Sequence, residues 1–331
     1  MADPLQPALL RFTPVYKPYV WGGTDLPRRL GRAEAPRLER YAESWELADH
    51  PDGMSVAEGG PYAGETLHAL TQRFGAELAG RPAAAFPLLV KVLDAADRLS
   101  VQVHPDDAAA LRDGGEAKTE CWYILEAAPG ASVWAGLKPG VTPALFRRAL
   151  ADGTVQGLLR SIPVRRGDLL FIPGGRVHAI GAGCLILEVQ QRSNTTYRVY
   201  DWDRRDAEGK ARPLHVEQAL QTIRWDDAAP ALTPTEPAPG EPGCRILPRL
   251  LCPYFIIDEL SVREPLELRG QGDSFQAFFT VSGGIRLRTE SGEFRLPEGR
   301  TGLLPALARA CTVRPEGGEA RLLRISLPRP G

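Results

Sequence analysis

Gly167-Asp168-Leu169-Leu170-Phe171-Ile172-Pro173-Gly174-Gly175-Arg176-Val177-His178 is the stretch whose reading decides the fold. Its apolar run has the length of a buried strand, and Pro-Gly-Gly ends it in a tight turn that presents a histidine. A second stretch, Arg98-Leu99-Ser100-Val101-Gln102-Val103-His104-Pro105, alternates apolar and polar residues. A period of two puts Gln102 and His104 on one strand face, one pleat apart, with Leu99, Val101 and Val103 on the other. An amide oxygen and an imidazole nitrogen at that spacing suit two ligands of one metal ion.

Around these stretches, the 331 residues suffice for one large core and a smaller one, so two domains are expected. The 34 glycines and 30 prolines demand frequent turns and favour a β-rich fold. Basic and acidic residues nearly balance, 40 against 41, which excludes a nucleic-acid binder reliant on a basic stripe but leaves room for a small anionic substrate. The 5 cysteines lack CxxC spacing and are odd in number, against a disulfide scaffold or a thiolate zinc site. Met1 to Arg11 lack a signal-peptide pattern, and no apolar run reaches membrane-spanning length. The expectation is a cytoplasmic protein without a membrane partner.

Thr66 to Leu78 has helical spacing, with Thr66 as N-cap. Pro105-Asp106-Asp107 opens a short helix through Leu111, and Thr142-Pro143 opens another with Leu145, Phe146 and Leu150 on one side. A further amphipathic helix runs to about Ile223. The strand Phe86 to Asp94 contains Lys91, which either snorkels to solvent or points into a cleft. Glu120 starts a strand that an antiparallel return would bring beside His104. Glu188 and Arg198 sit among β-formers, where charges are costly unless paired or used. The segments Pro18 to Gly23 and Glu43 to Ala48 read as edge packing, His50 and His68 as surface residues, and His215 as orienting a neighbour near the cleft. Asp226 to Gly243 has linker composition, and Phe255 to Ser326 reads as short strands. The expected division is therefore 1–225, a linker over 226–243, and 244–331.

Gly167-x5-Pro173-x-Gly175-x2-His178 resembles the second motif of the cupin family, in which the histidine binds metal. Gly299 and Pro305 repeat the spacing, with Ala310 where the histidine would stand. The resemblance implies a mainly β fold of two cupin-like jelly-roll barrels, the first larger and carrying helical inserts, the second without metal. Gln102, His104, Glu120 and His178 then form a sulfur-free ligand set that suits zinc, with manganese or iron as alternatives.

Several segments in order resemble type I phosphomannose isomerases of the short bacterial kind. They are Leu99 to Asp106, Lys118 to Tyr123, Pro173 to Ile180 and Ser193 to Trp202, joined by Trp21-Gly22-Gly23, Glu43 to Glu46 and Arg212 to His215. The resemblance implies an enzyme with one zinc ion per chain, interconverting mannose 6-phosphate and fructose 6-phosphate. The four ligand candidates fall on the family's metal positions, Arg198 on its catalytic arginine and Lys118 on a cleft lysine. Lys91, Ser100 and Arg198 are the expected substrate-binding residues. Moving a proton between C2 and C1 through a cis-enediol needs a base and charge stabilisation. Glu188 is the first candidate base, with a structural ion pair as its alternative role. Two other readings stay open at this point: a non-catalytic sugar-binding cupin, and a metal-dependent cupin oxygenase.

Overall fold

The computed structural model describes residues 4–205, 209–233 and 243–329. The N-terminal part is a sandwich of two antiparallel sheets. One sheet has seven strands in the order Leu232–Thr233, Leu169–Ile172, Glu120–Ala127, Cys184–Gln191, Leu88–Ala95, Glu43–Leu47 and Val15–Lys17. Facing it are five strands, in the order Leu159–Pro163, Ser132–Leu137, His178–Ile180, Val101–Val103 and Tyr197–Tyr200. Leu93, Trp122, Ile124, Val133, Leu170, Ile172, Ile180 and Ile186 fill the space between them. This is the jelly-roll expected from the motif, and the fold as a whole is mainly β.

The seven-stranded sheet is covered on both faces, which explains near-continuous apolar runs such as Leu88-Leu89-Val90-Lys91-Val92-Leu93. Leu88, Val90, Val92, Tyr123, Leu187 and Val189 turn outward and join one core with Phe255, Ile257, Phe275, Phe279, Leu323 and Ile325 of the C-terminal part. Phe86 and Phe275 meet there with ring centroids 4.6 Å apart. The C-terminal part is a smaller sandwich. A five-stranded sheet runs in the order Arg245–Leu251, Ile256–Val262, Ala320–Ser326, Gln276–Ser282 and Thr301–Leu304. A four-stranded sheet runs Leu266–Arg269, Ala310–Pro315, Ile285–Thr289 and Gly292–Leu296. Buried arginines tie the halves together. Arg32 donates to both oxygens of Glu46 at 2.8 Å and to the Gly299 carbonyl at 2.6 Å. Arg249 pairs with Glu259 and donates to the Gly167 carbonyl at 2.9 Å.

Helices cover the outer face of the five-stranded sheet. Thr142 caps Pro143–Ala151 by accepting from the Leu145 N–H at 3.2 Å, and Phe146 and Ala149 pack with Val101 and Val103. Leu145 is 43% exposed, unlike the expectation. Adjacent helical residues lie about 100° apart, so a narrow buried stripe holding Phe146 excludes it. The helix expected over 66–78 is capped by Thr66 but breaks at Gly75, whose φ of 44° is open to glycine and separates Leu67–Phe74 from Ala76–Ala79. Within the expected linker, Leu232–Thr233 pairs with Leu169–Leu170, while 234–242 lie outside the described residues. Among the described residues, no helix is long and apolar enough to cross a membrane.

Candidate active site

The Pro-Gly-Gly turn delivers His178 into the sandwich. Gly175 holds a φ of 86°, and a side chain at Gly174 would run into the Asp106 backbone. His178 pairs with Gln102 across neighbouring strands, and Glu120 pairs with Ile172 on the opposite sheet. Three stretches distant in sequence thus converge: one ligand atom each from His104, Glu120 and His178 lies within 4.8 Å of the others. All three are buried.

Each imidazole is oriented from behind. His104 Nδ1 lies 2.9 Å from the Thr195 carbonyl and His178 Nδ1 lies 2.8 Å from that of Arg176. A carbonyl only accepts, so each ring carries its N–H on Nδ1 and turns the lone pair of Nε2 inward. Such backing is the usual support for a metal-binding histidine. The Nε2 atoms stand 3.6 and 3.5 Å from the two Glu120 oxygens. Burial pushes His178 down to about 3 and His104 well below the usual range, with Lys118 adding to both. Both rings are therefore neutral and able to donate. Glu120 Oε1 is buried with no hydrogen-bond partner among the described residues, an orphaned anionic acceptor that a cation would satisfy. Gln102 places its amide nitrogen 3.3 Å from His178 Nε2, and turning the amide over presents Oε1 instead. Two imidazole nitrogens, a carboxylate and an amide fit a divalent metal ion.

Beside this cluster opens a cleft of about 260 Å³, lined by Lys91, Ser100, Gln102, Lys118, Glu188 and Arg198. Lys91 does not snorkel to solvent. Its ammonium is buried, 3.6 Å from both Glu43 and Glu188 and 4.8 Å from the Trp45 ring centre. Lys118 reaches Glu120 at 2.6 Å and His104 Nε2 at 3.0 Å. Burial raises the Glu188 carboxyl, but Lys118 and Lys91 outweigh it and hold the group below the usual glutamate value. Glu188 also accepts from Trp122 Nε1 at 3.1 Å. Arg198 Nε lies 3.2 Å from Ser100 Oγ, and its Nη1 donates to the Pro213 carbonyl at 3.0 Å.

Tyr19, Trp21, Glu43, Asn194 and Arg212 also line the cleft. Bulk pattern assigns the first three to edge packing. The signal that finds them, and Arg212, is membership of the Trp21-Gly22-Gly23, Glu43 to Glu46 and Arg212 to His215 segments. Arg212 is steered by Asp201, which accepts from Nε at 2.8 Å and from Nη2 at 2.5 Å. His215 Nδ1 accepts from the Arg198 N–H at 3.3 Å, and the His215 N–H donates to the Arg198 carbonyl at 2.7 Å. His50 is buried rather than at the surface, with Nε2 3.1 Å from Glu116 and its ring edge-on to Trp45. His68 is half-exposed and bonds Asp49 at 3.0 Å.

Comparison with known proteins gives one consistent result. Residues 9–137 match the family described as phosphomannose isomerase type I, catalytic domain. A mannose-6-phosphate isomerase of Streptococcus mutans is 44% identical over 62% of this chain and 64% of that protein, slightly less than two thirds of its length. Mannose-6-phosphate isomerase ManA of Bacillus subtilis is 37% identical over 87% of this chain and 89% of that protein. The crystal structure of the mannose 6-phosphate isomerase from Bacillus subtilis superposes with a TM-score of 0.85 at 32% identity, covering 96% of this chain and 99% of that one. A mannose 6-phosphate isomerase bound with zinc and yttrium shares the fold, with a TM-score of 0.72 at 16% identity over 96% of this chain and 98% of the other. The chain belongs to the type I phosphomannose isomerases.

Proposed function

We propose that the chain interconverts mannose 6-phosphate and fructose 6-phosphate, with one zinc ion held by Gln102, His104, Glu120 and His178. The observation that carries this reading is the buried His104, Glu120 and His178 cluster, adjoining a cleft that also presents Glu188, Lys91 and Arg198. Zinc suits the nitrogen and oxygen donors, and a distant structural relative is described as bound with it. A divalent cation bound there supplies Lewis acidity for a sugar oxyanion, or a template for the open chain.

The chain's own residues supply the proton transfer. Glu188 is anionic at neutral pH, is fixed by Trp122 and Lys91, and faces the cleft. It takes the proton from C2 of the open-chain aldose, leaving a cis-enediol, and returns it to C1 as the carbonyl shifts to C2; the reverse direction exchanges the two carbons. Lys118 sits between Glu120 and Glu188, 2.6 and 3.9 Å away, where a cation stabilises negative charge on a sugar oxygen. Arg198, oriented by Ser100 and backed by His215, presents a planar cation at the cleft wall for a phosphate or sugar oxygen. Placing Glu188 and Arg198 in the same cleft weighs against a binding protein without turnover.

In this reading residues 1–225 form the catalytic unit and 244–331 a second β-unit, joined through 226–243. A cytoplasmic setting is supported by the five unpaired thiols. A coupled assay of mannose 6-phosphate isomerisation tests the proposal, with turnover expected to vanish on chelation and to return with zinc. Full activity after chelation and dialysis would overturn the metal role, and a metal-loaded chain with no isomerase activity would overturn the reaction.

A further inference from the structure

The second β-unit repeats the strand register of the first. In the catalytic sandwich Glu120 pairs with Ile172, the residue before Pro173; two positions on, Trp122 pairs with Glu188, which pairs in turn with Lys91. In the C-terminal sandwich Gln276 pairs with Leu304, the residue before Pro305; two positions on, Phe278 pairs with Arg324, which pairs in turn with Asp258. Gln276 therefore stands where Glu120 does, Arg324 where Glu188 does and Asp258 where Lys91 does. The ion pair beside the active site is copied with its signs exchanged, Arg324 Nη2 lying 2.6 Å from Asp258 Oδ2. With Gln276 for the glutamate and Ala310 for the histidine, the copy has lost its metal ligands.

It has kept a cavity. Gln276, Arg324, Ser326, Asp273, Arg269 and Arg329 line a space of about 240 Å³. Gln276 is only 6% exposed, and its Oε1 is buried without a hydrogen-bond partner among the described residues. A buried amide oxygen lacking a donor is unfavourable unless something brings one. The three arginines outnumber the single aspartate, so the lining favours an anion. We propose that this cavity is a second binding site, for a small hydroxylated anion of the sugar-phosphate class, with a ligand hydroxyl donating to Gln276 Oε1 and the anionic group facing Arg324 and its neighbouring arginines. The inference does not depend on the activity proposed for the first site.

Calorimetric titration of the metal-loaded full chain with fructose 6-phosphate, and separately with inorganic phosphate, tests it. Gln276→Leu removes the acceptor and fills the space, while Gln276→Glu keeps the shape and repels an anion. The expected result is that each variant binds one equivalent of fructose 6-phosphate fewer than the wild type with isomerase turnover unchanged. The loss is from two to one if the first site also binds, and from one to none if it does not, so failure of the first site's assignment reads out separately. Inorganic phosphate should bind at least tenfold more weakly than fructose 6-phosphate at the site these variants remove. Unchanged stoichiometry in the properly folded variants would overturn the site. Equal affinity for the two probes would overturn the hydroxyl contact. Should the leucine variant fail to fold, the near-isosteric glutamate variant decides.

Discussion

Lys91 Nζ lies 3.6 Å from Glu188 Oε1, both groups almost wholly buried at the cleft wall. A carboxylate in that position keeps its charge because two ammonium groups, Lys91 and Lys118, stand near it. The pair is thus an arrangement for holding an ionised base away from bulk water.

Removing that charge without changing shape isolates the base. Glu188→Gln should retain fold and bound zinc while turnover falls by about 10²–10⁴-fold. Metal analysis and steady-state kinetics on one preparation check this, and near wild-type turnover would remove Glu188 from the role.

Metal and activity should leave together when a ligand is lost. His104→Ala and His178→Ala each delete an imidazole already oriented by a backbone carbonyl. The expected outcome is less than one zinc per chain after dialysis and turnover reduced in proportion. Arg198→Ala should instead keep zinc and lose rate.

His215 provides a pH dependence with a definite sign. Burial first, and then the Arg198 charge, lower its pKa below the usual histidine value of about 6.5. A base whose folded pKa is depressed favours the native state above its unfolded pKa, and that contribution is lost as pH falls through about 6.5 toward the folded value. The ring resonances of His215 should therefore titrate below about 6.5 in an NMR series. Comparison with His215→Asn should show the wild type losing more thermal stability between neutral and mildly acid pH. A midpoint at or above the usual histidine value would contradict the geometry.

The buried Arg32–Glu46 pair holds the two β-units in register through Gly299 and Thr301. Arg32→Met leaves an uncompensated carboxylate and should cost about 3–5 kcal/mol in chemical unfolding. Replacing both partners, Arg32→Met with Glu46→Met, should restore much of that loss.

Much of this is legible in the residues themselves. Alternation in Leu99 to His104 and the Pro173-Gly174-Gly175 turn depend on local periodicity and backbone geometry, so the strand, the turn and the convergence on His178 read directly. The fate of Lys91 does not, because its partners Glu43 and Glu188 come from neighbouring strands and only the assembled sheet brings them together. His50 illustrates the same gap: its burial comes from Trp45 and Glu116, which no local pattern announces. Arg212 is harder still. Its anchor Asp201 precedes two non-glycine residues in left-handed conformation, Trp202 at φ 59° and Asp203 at φ 54°. Their identity does not predict such a turn. The strand at Leu232–Thr233 hides in proline-rich composition because pairing across two residues leaves no period to detect.

The doubly covered seven-stranded sheet has a consequence for the size of this protein. A shortened polypeptide stopping before Arg245 would open Val90, Tyr123, Leu187 and Val189 to water as a greasy wall, since Phe255, Phe275 and Ile325 are what cover it. Any descendant that dispensed with its histidine-free half would first have to repaint that wall with polar side chains. The C-terminal unit is accordingly a condition of solubility for the unit that carries the chemistry.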